Sequence, residues 1–177
     1  MTNAAPEELE AVRDFVNTYD YEDGRDALAD PPALTGWLGE HGLGDLEASA
    51  AELRRARELR EALHAILRHH SGAELDPAAP RAVDAAADRA RLAVVFDEHG
   101  HARMEPKAGG VDGALGRLLA AVADAQRDGT WGRLKACMAD DCQWAFYDRS
   151  RNRSGVWCDM KVCGNRHKVR EFRARRG

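Results

Sequence analysis

The four cysteines of this chain stand close together and constrain it more than any other feature. They form Cys137-x4-Cys142, fifteen residues, then Cys158-x4-Cys163. Each close pair supplies two thiolates from one tight turn, and the segment between them brings the turns together. Four thiolates close a tetrahedron around a divalent ion and leave no position open for water or substrate. The pattern therefore reads as one structural Zn2+ site and not a catalytic one, although spacing alone leaves an iron–sulfur cluster open. Disulfides are disfavoured by the expected compartment. The start, MTNAAPEELEAVRDF, has neither a basic region nor an apolar signal core, and no apolar run approaches the roughly 20 residues of a spanning helix. The expectation is a reducing cytoplasm and no membrane partner.

Charge divides the chain. From Trp131 onward there are 12 Lys and Arg against 5 Asp and Glu, about +7. Residues 1–130 hold the other 14 basic and 25 acidic residues, about −11. Such a split predicts two modules with different partners, residues 1–129 and 130–177.

The acidic module reads as helical. Leu9, Val12, Val16 and Tyr19 fall at helical spacing, and Asp20 to Asp30 reads as a loop. Asp30 before Pro31-Pro32 predicts a cap and first turn for a helix carrying Leu34, Trp37 and Leu38, closed by Gly42. A long amphipathic segment runs from Asp45 to His70, and another helix from Asp76-Pro77 to about Ala90. The period then changes: Leu92–Asp97 and His101–Glu105 flank a turn-rich DEHG and predict a hairpin. Asp112 to Arg127 reads as a further helix despite Gly113 and Gly116. His41, His64, His69, His70, His99 and His101 form no spaced metal motif. With no phosphate-binding glycine loop and no identifiable Ser/His/Asp set, the reading is not an enzyme.

In the basic module Gln143–Tyr147 and Val156-Trp157 read as strands around the polar turn DRSRNRSG, followed by the helix NRHKVREFRARR. Val169 and Phe172 are expected to pack that helix onto the zinc hairpin. Gly164 is expected to let the chain turn sharply toward the sulfurs. The fold class is thus α+β: a mostly helical N-terminal domain with one β-hairpin, plus a small treble-clef-like zinc finger. Four thiolates around zinc leave about −2 of charge, which occupies one or two nearby cations but not twelve. The candidate nucleic-acid contacts are Arg149, Arg151 and Arg153 on the turn and Arg166, Lys168, Arg170, Arg173, Arg175 and Arg176 on the helix.

CGNR at Cys163–Arg166, WC at Trp157-Cys158 and DRSRN at Asp148–Asn152 resemble the CGNR zinc-finger family of bacterial proteins. FVNT at Phe15–Thr18, the loop to Pro31-Pro32 and LTGWLGEHGL at Leu34–Leu43 resemble the domain usually fused to that finger, ABATE. The resemblance spans nearly the whole chain. It implies a zinc-containing, DNA-binding, stress-induced transcription regulator. The helical module is separately expected to sense a small molecule or to mediate homodimerisation. The family commonly shows a basic pair before WC, where this chain has Gly155-Val156. RNA as the nucleic acid, a protein-interaction zinc module and a thiol-based redox sensor stay open as alternatives.

Overall fold

The computed structural model describes residues 5–174, and six α-helices and three two-stranded hairpins lie among them. Helix α1 (Glu7–Val16) buries Leu9, Val12, Phe15 and Val16. It stops at Asn17 because the Thr18 hydroxyl and N–H both return to the Phe15 carbonyl. Tyr19, expected on the helical stripe, instead opens β1 (Tyr19–Asp20), which pairs antiparallel with β2 (Arg25–Asp26). This small hairpin occupies part of the segment read as a loop.

Helix α2 (Pro31–Glu40) starts as expected, with the Asp30 carboxylate accepting the Ala33 N–H at 2.9 Å. Helix α3 (Ala50–His70) begins five residues later than Asp45. The start is set by Ser49 and Glu52, which satisfy each other's backbone N–H groups in a capping box. Helix α4 (Ala78–Ala90) leads through Arg91, in the left-handed region, into β3 (Leu92–Phe96), paired with β4 (Ala102–Pro106). Helix α5 (Gly110–Arg127) carries Gly116 where a Cβ would meet Ala90 and Pro106 at 2.6 and 2.8 Å. The glycine therefore admits the close approach of α4 and β4 and is not a break in the helix.

The third hairpin joins β5 (Leu134–Ala136) to β6 (Ala145–Tyr147), with the first cysteine pair in its connection. Its partner strand lies before Cys137, and not at Val156-Trp157, which forms no strand. All six strand residues are buried, and Trp131, Leu134, Ala136, Ala145 and Tyr147 belong to the same apolar core as α1, α3 and α5. The division near residue 130 is thus one of chain order and charge, and apolar packing runs across it. Polar contacts run across it too. The Asn17 amide donates to the Ala145 carbonyl at 3.0 Å and accepts its N–H at 2.7 Å, as a neighbouring strand would. The Ser71 hydroxyl donates to the Ala136 carbonyl at 2.6 Å, and the His70 ring reaches the Leu134 carbonyl at 2.8 Å.

Candidate metal centre and the basic surfaces around it

Two knuckles converge on one point. In the first, the N–H groups of Cys142 and Gln143 return to the Ala139 carbonyl, and Gln143 adopts φ +53 to close the turn. In the second, Asp159 accepts the N–H groups of Lys161 and Val162 on its carboxylate and those of Cys163 and Gly164 on its carbonyl. A single wide turn, Met160–Gly164, then runs into α6 (Asn165–Ala174). Gly164 keeps an ordinary φ, unlike the sharp turn expected of it; a Cβ there would run into Met160 and the Trp157 ring.

The sulfurs of Cys137, Cys142, Cys158 and Cys163 all lie within 4.8 Å of one another. Cys142 and Cys158 are 3.5 Å apart, and Cys158 and Cys163 3.6 Å. A tetrahedron with zinc–sulfur bonds of about 2.3 Å has edges of about 3.8 Å, whereas a disulfide needs about 2.05 Å. The geometry fits the metal. Charge makes the same point. Hydrogen bonds from Cys142 and Cys158 hold the Cys137 thiol down to about 2. That sulfur, through its hydrogen bonds, raises Cys142 to about 12 and pushes Cys158 up further, while burial raises Cys163. Alone, the four sulfurs favour one charge; only a cation among them makes four thiolates stable. The cluster is the site of one structural zinc. Phe146, Ala139 and Trp157 pack around it, and the Trp157 ring lies 4.8 Å from that of His167.

His64 and Arg68 of α3 reach the first knuckle. His64 Nε2 contacts the Gln143 carbonyl at 3.0 Å, Nδ1 meets the Tyr21 hydroxyl at 3.1 Å, and Arg68 donates to the Gln143 side chain. Burial first, with nearby Arg60 and Arg68, lowers the His64 pKa and keeps the ring neutral. His64 is therefore a strut between helix and knuckle, and no ligand.

The predicted nucleic-acid contacts fall on two surfaces. Arg149, Arg151 and Arg153 project from the exposed loop 149–154, with Arg149 also 5.9 Å from the Tyr147 ring. The base of that loop is a charge pair that sequence reasoning missed. Lys135 Nζ lies 2.9 Å from Asp148 Oδ2 and also donates to the Arg153 and Gly155 carbonyls. Both side chains are under 5 % exposed. Burial opposes charge on Asp148, yet hydrogen bonds from Ser150, Lys135 and the Gly155 N–H hold its carboxyl down to about 2. Gly155 stands where a Cβ would lie 2.9 Å from that carboxylate, so a side chain there would crowd the pair. A lysine flanked by two apolar strand residues, Leu134 and Ala136, was the available signal.

The second surface is α6. Arg166 is half-buried and donates to Glu22 at 3.1 Å and to Asp141 at 3.4 Å, while Arg170 donates to Asp141 at 2.5 Å. Lys168 and Arg173 are exposed, and Arg175 and Arg176 lie outside the described residues. Among the described residues, Arg151, Arg153, Lys168 and Arg173 have no ion-pair partner. Val169 and Phe172 do not bury against the zinc hairpin as expected: they are exposed, with Met160, Val162 and Trp144. Phe146 takes the packing role instead.

Two family models match the chain. The CGNR zinc finger model matches residues 133–176. The ABATE model, described as "Putative stress-induced transcription regulator", matches residues 9–129. Neither description is that of an enzyme. No curated protein matches the chain. Among the described residues no helix is long and apolar enough to cross a membrane.

Proposed function

The chain belongs to the ABATE family and carries a CGNR zinc finger, and from that premise we propose that it is a DNA-binding transcription regulator. The observation that carries this reading is the basic loop 149–154, whose backbone is anchored by the buried Lys135–Asp148 pair while its arginines point outward. Preorganised cations track a phosphate backbone at less entropic cost than mobile ones. DNA stands ahead of RNA through the family description alone. The helical layer acts as the sensing or dimerisation part. A groove of about 530 Å3 between α3 and α4 is lined by Ala62, Ala65, Ala79 and Ala82.

If Arg151 and Arg153 contact phosphates, changing both to Ala weakens binding to duplex DNA. It also flattens the slope of log affinity against log salt by about one unit per lost contact. Zinc content stays at one per chain. A folded, zinc-loaded variant with unchanged affinity and slope returns the loop to an ordinary solvated surface.

Arg166 has a competitor already in place. Its ion pair with Glu22 links the acidic layer to α6, and a phosphate must displace it. Glu22→Gln is therefore expected to raise duplex affinity severalfold at low salt, with the gain shrinking as salt rises. Equal affinity at both salt concentrations places Arg166 outside the interface.

A protein-interaction role for the finger is favoured by one observation, the exposed Trp144, Met160, Val162 and Val169. Binding to a protein through these residues depends weakly on salt, and the titration above separates it from phosphate contact.

A further inference from the structure

The β3–β4 hairpin carries an uncharged edge. β3 reads Leu92-Ala93-Val94-Val95-Phe96, five residues without charge, glycine or proline. Alternation puts Leu92, Val94 and Phe96 on one face. Leu92 at the root packs against the core, but Val94 and Phe96 are 58 % and 70 % exposed. β4 lies against α5 and bears Arg103 and Glu105. Among the described residues no third strand joins the sheet, so the outer edge of β3 is open. Natural edge strands are blunted by charge, proline or a bulge. β4 is protected in this way and β3 is not. A hairpin of two strands is also marginal unless further strands or packing support it.

We propose that the outer edge of β3 pairs antiparallel with the same edge of a second copy of this chain, about a two-fold axis at Val94. The charges flanking the strand select both the occupant and the register. With Val94 on the axis, Leu92 falls opposite Phe96 of the second copy. Arg91, immediately before the strand, falls opposite Asp97 of the second copy, immediately after it, and the symmetry makes this pair twice. Arg91 is exposed and, among the described residues, has no ion-pair partner, while the Asp97 carboxylate is oriented by the N–H groups of His99 and His101. A shift of either hairpin by one step along the strand separates both charge pairs. The product is a four-stranded sheet, β4-β3-β3-β4. It is closed, because each outer strand is the charged β4. The inference stands apart from the nucleic-acid reading, since the hairpin lies in the helical layer and not in the finger.

Sedimentation velocity on the full zinc-loaded chain over a concentration series tests it. The expected species is a dimer of about 39 kDa, twice the 19.5 kDa chain. Val94→Lys sets two ammonium groups against each other at the axis and is expected to leave a monomer. Arg91→Glu faces Asp97 with a like charge twice and is expected to weaken the dimer by at least about tenfold. Both positions are exposed, and circular dichroism with zinc content checks that each variant is folded. A wild-type chain that stays monomeric overturns the proposal, as does a dimer indifferent to both substitutions.

Discussion

Stripping the metal, or changing Cys163 to Ser, lowers the melting temperature of the whole chain, the helices included. A structural zinc contributes on the order of 10 kcal/mol to the unit that binds it. In a chain of this size that corresponds to roughly 20–40 °C in Tm. The loss spreads because the hairpin between the knuckle and the helices is shared. Leu134, Ala136, Ala145 and Tyr147 complete the core of α1, α3 and α5. Asn17, His64, Arg68, His70 and Ser71 all bind the backbone or side chains of residues 134–145. Loosening the knuckles withdraws partners from each. Thermal unfolding followed at 222 nm, where the helices dominate, is expected to shift down together with tryptophan fluorescence, to which Trp131, Trp144 and Trp157 around the knuckles contribute beside Trp37 of α2. A helical melt that stays in place while the finger signal is lost would show that the two parts unfold separately.

The second large effect is expected at Asp148. Changing it to Ala leaves the Lys135 ammonium inside the fold with two carbonyls and no counter-charge. Breaking one side of a buried pair costs about 3–5 kcal/mol, or roughly 6–20 °C in Tm here. The substitution also releases the N–H groups of Ser150 and Gly155, so loop 149–154 loses its anchor, and on the proposed nucleic-acid reading duplex affinity falls with stability. Lys135→Met should cost less, because Asp148 keeps those backbone donors. The sign with pH follows from the depressed carboxyl. Its contribution is complete above about pH 4, the ordinary carboxylate value, and is lost as pH falls toward about 2. Equal melting temperatures for Asp148→Ala and the wild type near neutral pH would remove the pair from the account of the loop.

Legibility in the sequence followed the range of the interactions. The four cysteine ligands, the Asp30 cap of α2, the β3–β4 hairpin and the extent of α4 were readable because each depends on residues a few positions apart. Cysteine spacing encodes a knuckle, and Asp-Pro-Pro encodes a helix start. The capping box that sets the start of α3 was equally local, and Ser49 with Glu52 would have placed it. The second strand of the finger hairpin was misplaced because Val156-Trp157 and Leu134–Ala136 carry similar local signals. What chooses between them is the core across the module boundary, which buries Leu134 and Ala136 completely.

The sequence by itself determined the four cysteine ligands, the family, the helical layer and the sign of charge on each half. Those are matters of composition and short spacing, and they hold whatever the arrangement of the modules. Only the tertiary structure decided which charges remain available. Arg166 and Arg170 face carboxylates 144 and 29 residues away, while Arg151 and Arg153 are held out by a pair buried beneath them. It also decided that Asn17 clamps Ala145 and that β3 keeps an uncharged edge. Each of these depends on which distant backbone comes within about 3 Å, and hydrogen bonds and ion pairs weaken steeply beyond that reach.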